Sequence, residues 1–148
     1  MANDSSGLRR KLDAKGRISL PPDIRKTLPE DLKTVKVTVS PKGDCVYIFE
    51  PEKFKEWVDS LFAKRDGGFN PSNETHVGLR TVLESRGLFA KLDDVGRVGI
   101  QLLQREEAGL ELGADIVVFD SADHIEVWDA KRWDEFRNKV DLTALFAS

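Results

Sequence analysis

Leu12-Asp13-Ala14-Lys15-Gly16-Arg17-Ile18-Ser19-Leu20 returns 80 residues later as Leu92-Asp93-Asp94-Val95-Gly96-Arg97-Val98-Gly99-Ile100. Both copies keep LDxxGR followed by alternating apolar positions. A second pair of blocks matches in the same order at an offset of 79: Tyr47-Ile-Phe-Glu-Pro-Glu-Lys-Phe-Lys-Glu-Trp57 and Glu126-Val-Trp-Asp-Ala-Lys-Arg-Trp-Asp-Glu-Phe136. Two ordered matches with a one-residue change of offset mark an internal duplication of one supersecondary unit.

Periodicity fills in each unit. The chain alternates as a strand into a turn at Lys15-Gly16, continues through Ile18 and Leu20, and stops at Pro21-Pro22. Pro22 suits a first helical turn, and Ile24 and Leu28 lie one turn apart. Val35, Val37 and Val39 alternate as a half-buried strand, and Pro41-Lys-Gly-Asp44 turns the chain into a strand over Cys45 to Phe49. Beyond Pro51, the residues Phe54, Trp57, Val58, Leu61 and Phe62 form the apolar stripe of a helix.

In the second unit Ile116 to Phe119 and Ile125 to Trp128 flank the turn Asp120-Ser-Ala-Asp123. Asp129 is an N-cap for a helix with Trp133, Phe136 and Val140 on one face. Between the units, Asp66 to Pro71 reads as a loop, followed by a helix with Leu79, Val82, Leu83 and Arg86 along one side and Gly87 as its stop. One unit alone has few core residues and bare strand edges. The two are therefore expected to interleave into a closed, mainly β core with helices outside, an α+β fold.

The 148 residues carry 23 Lys+Arg against 26 Asp+Glu, a formal charge of -3. Residues 1 to 26 hold seven basic and three acidic side chains, a balance of +4, which leaves -7 on the remainder. The basic end can engage phosphates locally, or can be a solvated edge strand protected by charge. A single cysteine, Cys45, excludes a disulfide framework and points to a reducing compartment. Met1 to Gly7 is polar, with no signal-peptide core, and nothing approaches a membrane span, so no membrane role is expected.

The LDxxGR spacing defines a local geometry. Gly16 and Gly96 can take a positive φ, and Asp13 and Asp93 can accept backbone N–H groups of the turn while pairing with Arg17 and Arg97. An oriented guanidinium presents a planar fork that fits two phosphate oxygens or the O6/N7 edge of guanine. The same residues could instead simply lock the hairpin or pair across a subunit contact, and the residues alone leave both readings open. The first copy adds Lys15 in its loop and Arg9, Arg10 and Lys11 on the strand leading in, whereas the second has Asp94-Val95. A carboxylate beside Arg97 would repel phosphate and compete for the guanidinium, which makes the first copy the expected principal contact surface.

These residues resemble the MraZ family: Asp13-Ala-Lys-Gly-Arg17 with Ile18-Ser-Leu-Pro-Pro and Arg25, Asp93-x-x-Gly-Arg97 with Arg105 and Ala108-Gly-Leu110, and Ile125-Glu-Val-Trp-Asp-x-x-x-Trp133. The resemblance runs from about Gly7 to Phe136. It implies two pseudo-symmetric AbrB-type (SpoVT-AbrB-like) swapped-hairpin repeats in one β core, at 7–66 and 89–140, with a linking loop and helix at 67–88. It also implies a ring-shaped homo-oligomer in the bacterial cytoplasm, associated with the nucleoid. Such a ring would be a transcriptional regulator binding double-stranded DNA at short direct repeats upstream of the division and cell wall gene cluster. In that family the DxxxR arginine touches DNA, which maps onto Arg17 first and Arg97 second. Gln101-Leu102 depart from a Pro-Pro-like stop and Gln104 from an apolar position, changes that would alter packing or DNA contact in the second unit. The polar start Met1-Ala-Asn-Asp-Ser-Ser is expected to be a mobile arm.

Within this reading Lys11, Lys15 and Arg9 set register on phosphates and Arg17 reaches a base edge. The alternative is an oligomeric scaffold that keeps the fold without the DNA role, suggested by the net acidity. An enzyme is not expected, and neither is a cofactor or a metal. His76 and His124 lack metal-site spacing and are expected on an exposed helix turn and at a strand entry, Gly67-Gly68 lacks a following Lys and Ser/Thr, and Cys45 reads as a small core residue. Trp57, Trp128 and Trp133 read as packing residues rather than a base-stacking platform.

Overall fold

The computed structural model describes residues 9–147, so the expected N-terminal arm and a unit boundary at residue 7 lie outside the described residues. In chain order the elements of the first half are β1 (Arg9–Lys11), β2 (Arg17–Ser19), α1 (Pro22–Arg25), β3 (Thr34–Val39), β4 (Val46–Phe49) and α2 (Pro51–Asp66). They are followed by α3 (Glu74–Ser85), β5 (Leu88–Lys91), β6 (Arg97–Gly99), α4 (Leu102–Ala108), β7 (Asp115–Asp120), β8 (Ile125–Asp129), α5 (Ala130–Lys139) and a 3-10 segment, Leu142–Phe146.

The two halves interleave, as the bare edges require. One antiparallel sheet has the order β1-β7-β8-β4-β3-β5, and a separate two-stranded ribbon pairs β2 with β6. Strand β1 joins β7 of the other half, with Arg9 opposite Val117, and β5 joins β3, with Val37 opposite Leu88. At the centre of the ribbon Ile18 faces Val98. The ribbon links the two edge strands of the sheet, because Asp13 N donates to the Arg17 carbonyl (3.0 Å), Asp93 N donates to the Arg97 carbonyl (3.1 Å), and Leu92 bridges to Val98. Across the halves, Leu20 N donates to the Gly96 carbonyl and Ile100 N to the Gly16 carbonyl (2.9 Å each), backbone groups that neither half could satisfy alone.

The enclosed core follows the repeat. Leu12, Ile18, Leu20, Val39, Val46 and Ile48 meet their counterparts Leu92, Val98, Ile100, Val118, Ile125 and Val127, all buried. Strand β3 is buried on both faces rather than one: Val35, Val37 and Val39 face the core, and Thr38 is covered as well. Over the sheet, Phe54, Trp57, Val58 and Phe62 of α2 pack on Phe49 as the second cluster. Trp133 of α5 meets Phe119 and Trp128 edge-on, with Asp129 capping the helix through Arg132 N.

The departures in the second half leave the backbone path intact. Gln101 holds φ -65°, ψ 153° before α4, close to the φ -57°, ψ 144° of Pro21 before α1. Gln104 occupies the place that Ile24 has in the first half. It is buried, its Nε2 donates to the Val37 carbonyl (2.8 Å), and its Oε1 has no partner among the described residues.

Several expectations are corrected. His76 is buried rather than exposed. Its Nδ1 accepts from Asn70 N (3.0 Å), which puts the ring proton on Nε2 for donation to Asp66 (2.9 Å) and pins the loop between α2 and α3. Helix α3 packs on α2 through His76, Leu83 and the Arg80–Asp59 pair; Leu79, Val82, Leu83 and Arg86 share one side as expected, with Leu79 and Val82 47 % and 62 % exposed. Val140 lies past the end of α5 in extended backbone and is not on its packing face. Gly87 ends α3 for lack of space rather than for left-handed backbone, since a Cβ there would sit 2.9 Å from both Phe54 Cζ and Lys36 Cε.

Two glycine substitutions separate crowding from intrinsic helix cost. Gly87→Ala should lose about 1–3 kcal/mol in urea denaturation because Phe54 has no room to retreat. Gly78→Ala, inside α3 with no atom within 4 Å of the added Cβ, should gain ~0.5–1 kcal/mol. The reverse order would contradict the packing described.

Candidate nucleic-acid interface

Each LDxxGR turn is built the same way. Gly16 and Gly96 adopt φ 78° and 82°, which residues bearing a Cβ rarely take. Asp13 Oδ1 accepts from Lys15 N (2.8 Å) and Arg17 N (2.9 Å), leaving Oδ2 for Arg17 Nε at 2.9 Å. Asp93 repeats the pattern, with Oδ1 accepting from Val95 N (3.1 Å) and Arg97 N (2.8 Å) and Oδ2 from Arg97 Nε (2.7 Å). The backbone N–H of Arg17, aided by Lys15 N and the guanidinium, holds the Asp13 carboxyl below the usual carboxylate range, and the Arg97 N–H does the same for Asp93.

The carboxylates grip the arginines by Nε, the inner edge of the guanidinium. The Arg17 and Arg97 side chains stay 31 % and 37 % exposed, and no described contact engages their terminal nitrogens. Ribbon register sets their direction. Arg17 lies opposite Gly99, and Ser19 opposite Arg97, while Ile18 and Val98 between them point into the core. Alternation therefore puts both arginines on the outer face of the ribbon as diagonal neighbours, with no side chain on Gly99 between them.

Two further arginines prop the turns from the opposite halves. Arg105 of α4 lies under the first turn, where a Cβ on Gly16 would come within 2.8 Å of its Nε, and that nitrogen donates to the Ile100 carbonyl. Arg25 of α1 lies under the second turn, with Nη1 2.8 Å from a would-be Gly96 Cβ and Nη2 donating to the Asp94 carbonyl (2.9 Å). These positions are 80 apart in the sequence, like the turns they support.

An open depression of about 690 Å³ gathers Lys15, Arg17, Arg97, Arg105 and Lys91 around a single acid, Asp93. Lys91 went unnoticed in the sequence, although the 80-residue offset makes it the counterpart of Lys11. Lys11 and Arg9 do not line this depression. Lys11 pairs with Asp115 (2.9 Å), and Arg9 stands 3.8 Å from Asp134. Exposed pairs of this kind are weak, about 0–1 kcal/mol, so either cation can exchange its partner for a phosphate. Asp94 does not compete for Arg97 as expected: its carboxylate is solvent-exposed and lies 3.6 Å from Lys33.

His124 bridges Asp123 (2.6 Å) and Glu126 (2.9 Å), and burial pushes the Cys45 thiol up, with Glu126 adding to the shift. Among the described residues no group of His, Cys, Asp or Glu could hold a metal ion, and no helix is long and apolar enough to cross a membrane.

Asp13→Asn tests the grip on Arg17, because an amide supplies only one of the two acceptor atoms. A native pKa below the unfolded value of ~3.9 means the carboxylate's contribution is present above that pH and fades as acid protonates the native state. The variant should be less stable by about 0.5–1 kcal/mol at pH 7, a figure reduced for the solvent screening of a part-exposed pair, with the gap to wild type closing as the pH falls below the unfolded value of ~3.9. A gap of unchanged size in acid would show that the ionised carboxylate is not what holds the turn.

No family model matches the chain. It is 32 % identical over 126 residues to the transcriptional regulator MraZ of Corynebacterium urealyticum, covering 85 % of this chain and 80 % of that one. The same-named protein of Leifsonia xyli subsp. xyli is 33 % identical over 139 residues, 93 % of this chain and 87 % of its own, and that of Treponema denticola is 30 % identical over 125 residues, 84 % and 81 %. With 32–33 % identity over at least four-fifths of both partners, the chain belongs to the MraZ family.

Proposed function

We propose that the protein is a DNA-binding transcriptional regulator, acting as a ring-shaped homo-oligomer on short direct repeats upstream of the division and cell wall gene cluster. Its relatives carry the name transcriptional regulator. In this reading two AbrB-type units, 7–66 and 89–140, joined by 67–88, share one reading surface. The observation that carries it is the outer face of the β2–β6 ribbon. Two arginines stand there as diagonal neighbours, each fixed through Nε and part-exposed, with no described contact on its terminal N–H groups.

Arg17 is the principal contact, reaching a base edge from a loop that also carries Lys15, where the second turn has Val95. Arg97 supports it from the same face. Lys11 and Arg9 serve phosphates along the approach, with Lys91 and Arg105 deepening the positive field. One subunit of charge -3 binds a polyanion weakly, because few phosphates are neutralised and the acidic body opposes approach. A ring presents several such faces together, and each bound face raises the effective concentration of the next.

Gel shifts at moderate salt with DNA carrying the upstream repeats test the reading. Arg17→Ala should lose at least ~5-fold in affinity, the low end of a lost bidentate base contact, and Arg97→Ala should lose less. Two or three repeats in phase should bind ~100-fold or more tighter than one. Equal binding by wild type and Arg17→Ala, with wild type passing freely through heparin at low salt, would favour an oligomeric scaffold without a DNA role.

A further inference from the structure

Helices α2 and α3 enclose an open apolar groove of about 770 Å³, lined by Leu61, Phe62, Gly78, Leu79, Val82 and Leu83. None of the described residues fills it. Gly78 sits inside α3, where glycine is unfavourable, and a Cβ there would meet no atom within 4 Å. The fold of one chain gives no reason for a glycine at that point. A partner seated closely against the helix backbone does.

The chain carries a matching segment. Asp141 caps the 3-10 turn Leu142–Phe146 by accepting from Thr143 N and Oγ1. The turn presents Leu142, Leu145 and Phe146, spaced i, i+3 and i+4, which are 67 %, 79 % and 85 % exposed. This spacing is the anchor pattern by which a helical turn enters an apolar groove. The segment is not seated in its own chain's groove. Charge agrees, since Asp141 is the one charged side chain of the segment and the groove rim carries the exposed Arg65, beside an Arg86 held by Glu107 (2.9 Å).

We infer that the Asp141–Phe146 turn of one copy docks in the α2–α3 groove of the next. The contact rests on the homo-oligomer reading above and gives it an interface. Tail and groove are different surfaces, so the association is heterologous, and each copy keeps one free tail or groove until the series closes into a ring.

Light scattering on the full chain and two variants tests the contact. Leu145→Asp/Phe146→Asp spoils the tail, and Gly78→Leu fills the groove from a position with space for it. Wild type should be a closed oligomer, and each variant alone a 16.6 kDa monomer. A 1:1 mixture should give a dimer and nothing larger, because one good tail and one good groove remain. Variants that keep the wild-type mass, or a mixture that stays monomeric, overturn the contact and leave the ring reading standing. A monomeric wild type overturns both.

Discussion

The pairing of Ile18 with Val98 at the centre of the β2–β6 ribbon is the constraint on which the rest depends. Each residue belongs to a three-residue strand that cannot persist alone, and each is fully buried only because the other half covers it. The same exchange recurs at both edges of the sheet, where β1 completes β7 and β5 completes β3. Interleaving thus removes the bare edges that either half would present, and it brings two distant turns to one surface.

The turns then divide labour within a single carboxylate. One oxygen of Asp13 organises the backbone, and the other holds the inner nitrogen of Arg17. A flexible side chain becomes a directed one, so less rotamer freedom remains to be lost on meeting a ligand. Arg105 and Arg25 supply the second constraint. Each crosses from the opposite half to fill the space beside a glycine, so a bulkier residue at Gly16 or Gly96 would clash as well as strain the backbone. The pseudo-symmetry is broken at the loop tips, Lys15 against Val95, and beneath them at Ile24 against Gln104.

Much of this could be read from the residues. The repeat exposed both turns, their aspartates and their arginines, because identical chemistry at a fixed offset is visible without structure. Helix α2 is readable from its apolar stripe, in which half-buried Leu61 packs against the second cluster and also lines an open groove. The failures have physical causes. His76 reads as exposed because its partners, Asp66 at the end of α2 and the Asn70 amide in the loop after it, are brought to it by a path no periodicity encodes. The α3 stripe is legible as one side, since Leu79, Val82, Leu83 and Arg86 line the same groove, but periodicity does not say whether anything covers that side. Gly87 resembled a helix stop of the usual kind, but Phe54 and Lys36, distant in sequence, are what exclude a side chain there. Competition from Asp94 was anticipated from adjacency alone, and the turn directs that carboxylate toward Lys33 instead.

The central claim is that Arg17 is held at its inner edge and offers its outer edge to DNA. Side-chain nitrogen NMR of Arg17 and Arg97 during titration with a repeat-containing duplex tests this most directly. The account predicts that the Nη resonances of Arg17 shift on binding while its Nε–H signal keeps the signature of the Asp13 bond. Arginine resonances that stay unmoved at saturating DNA, with the shifts confined to other surfaces, would contradict it.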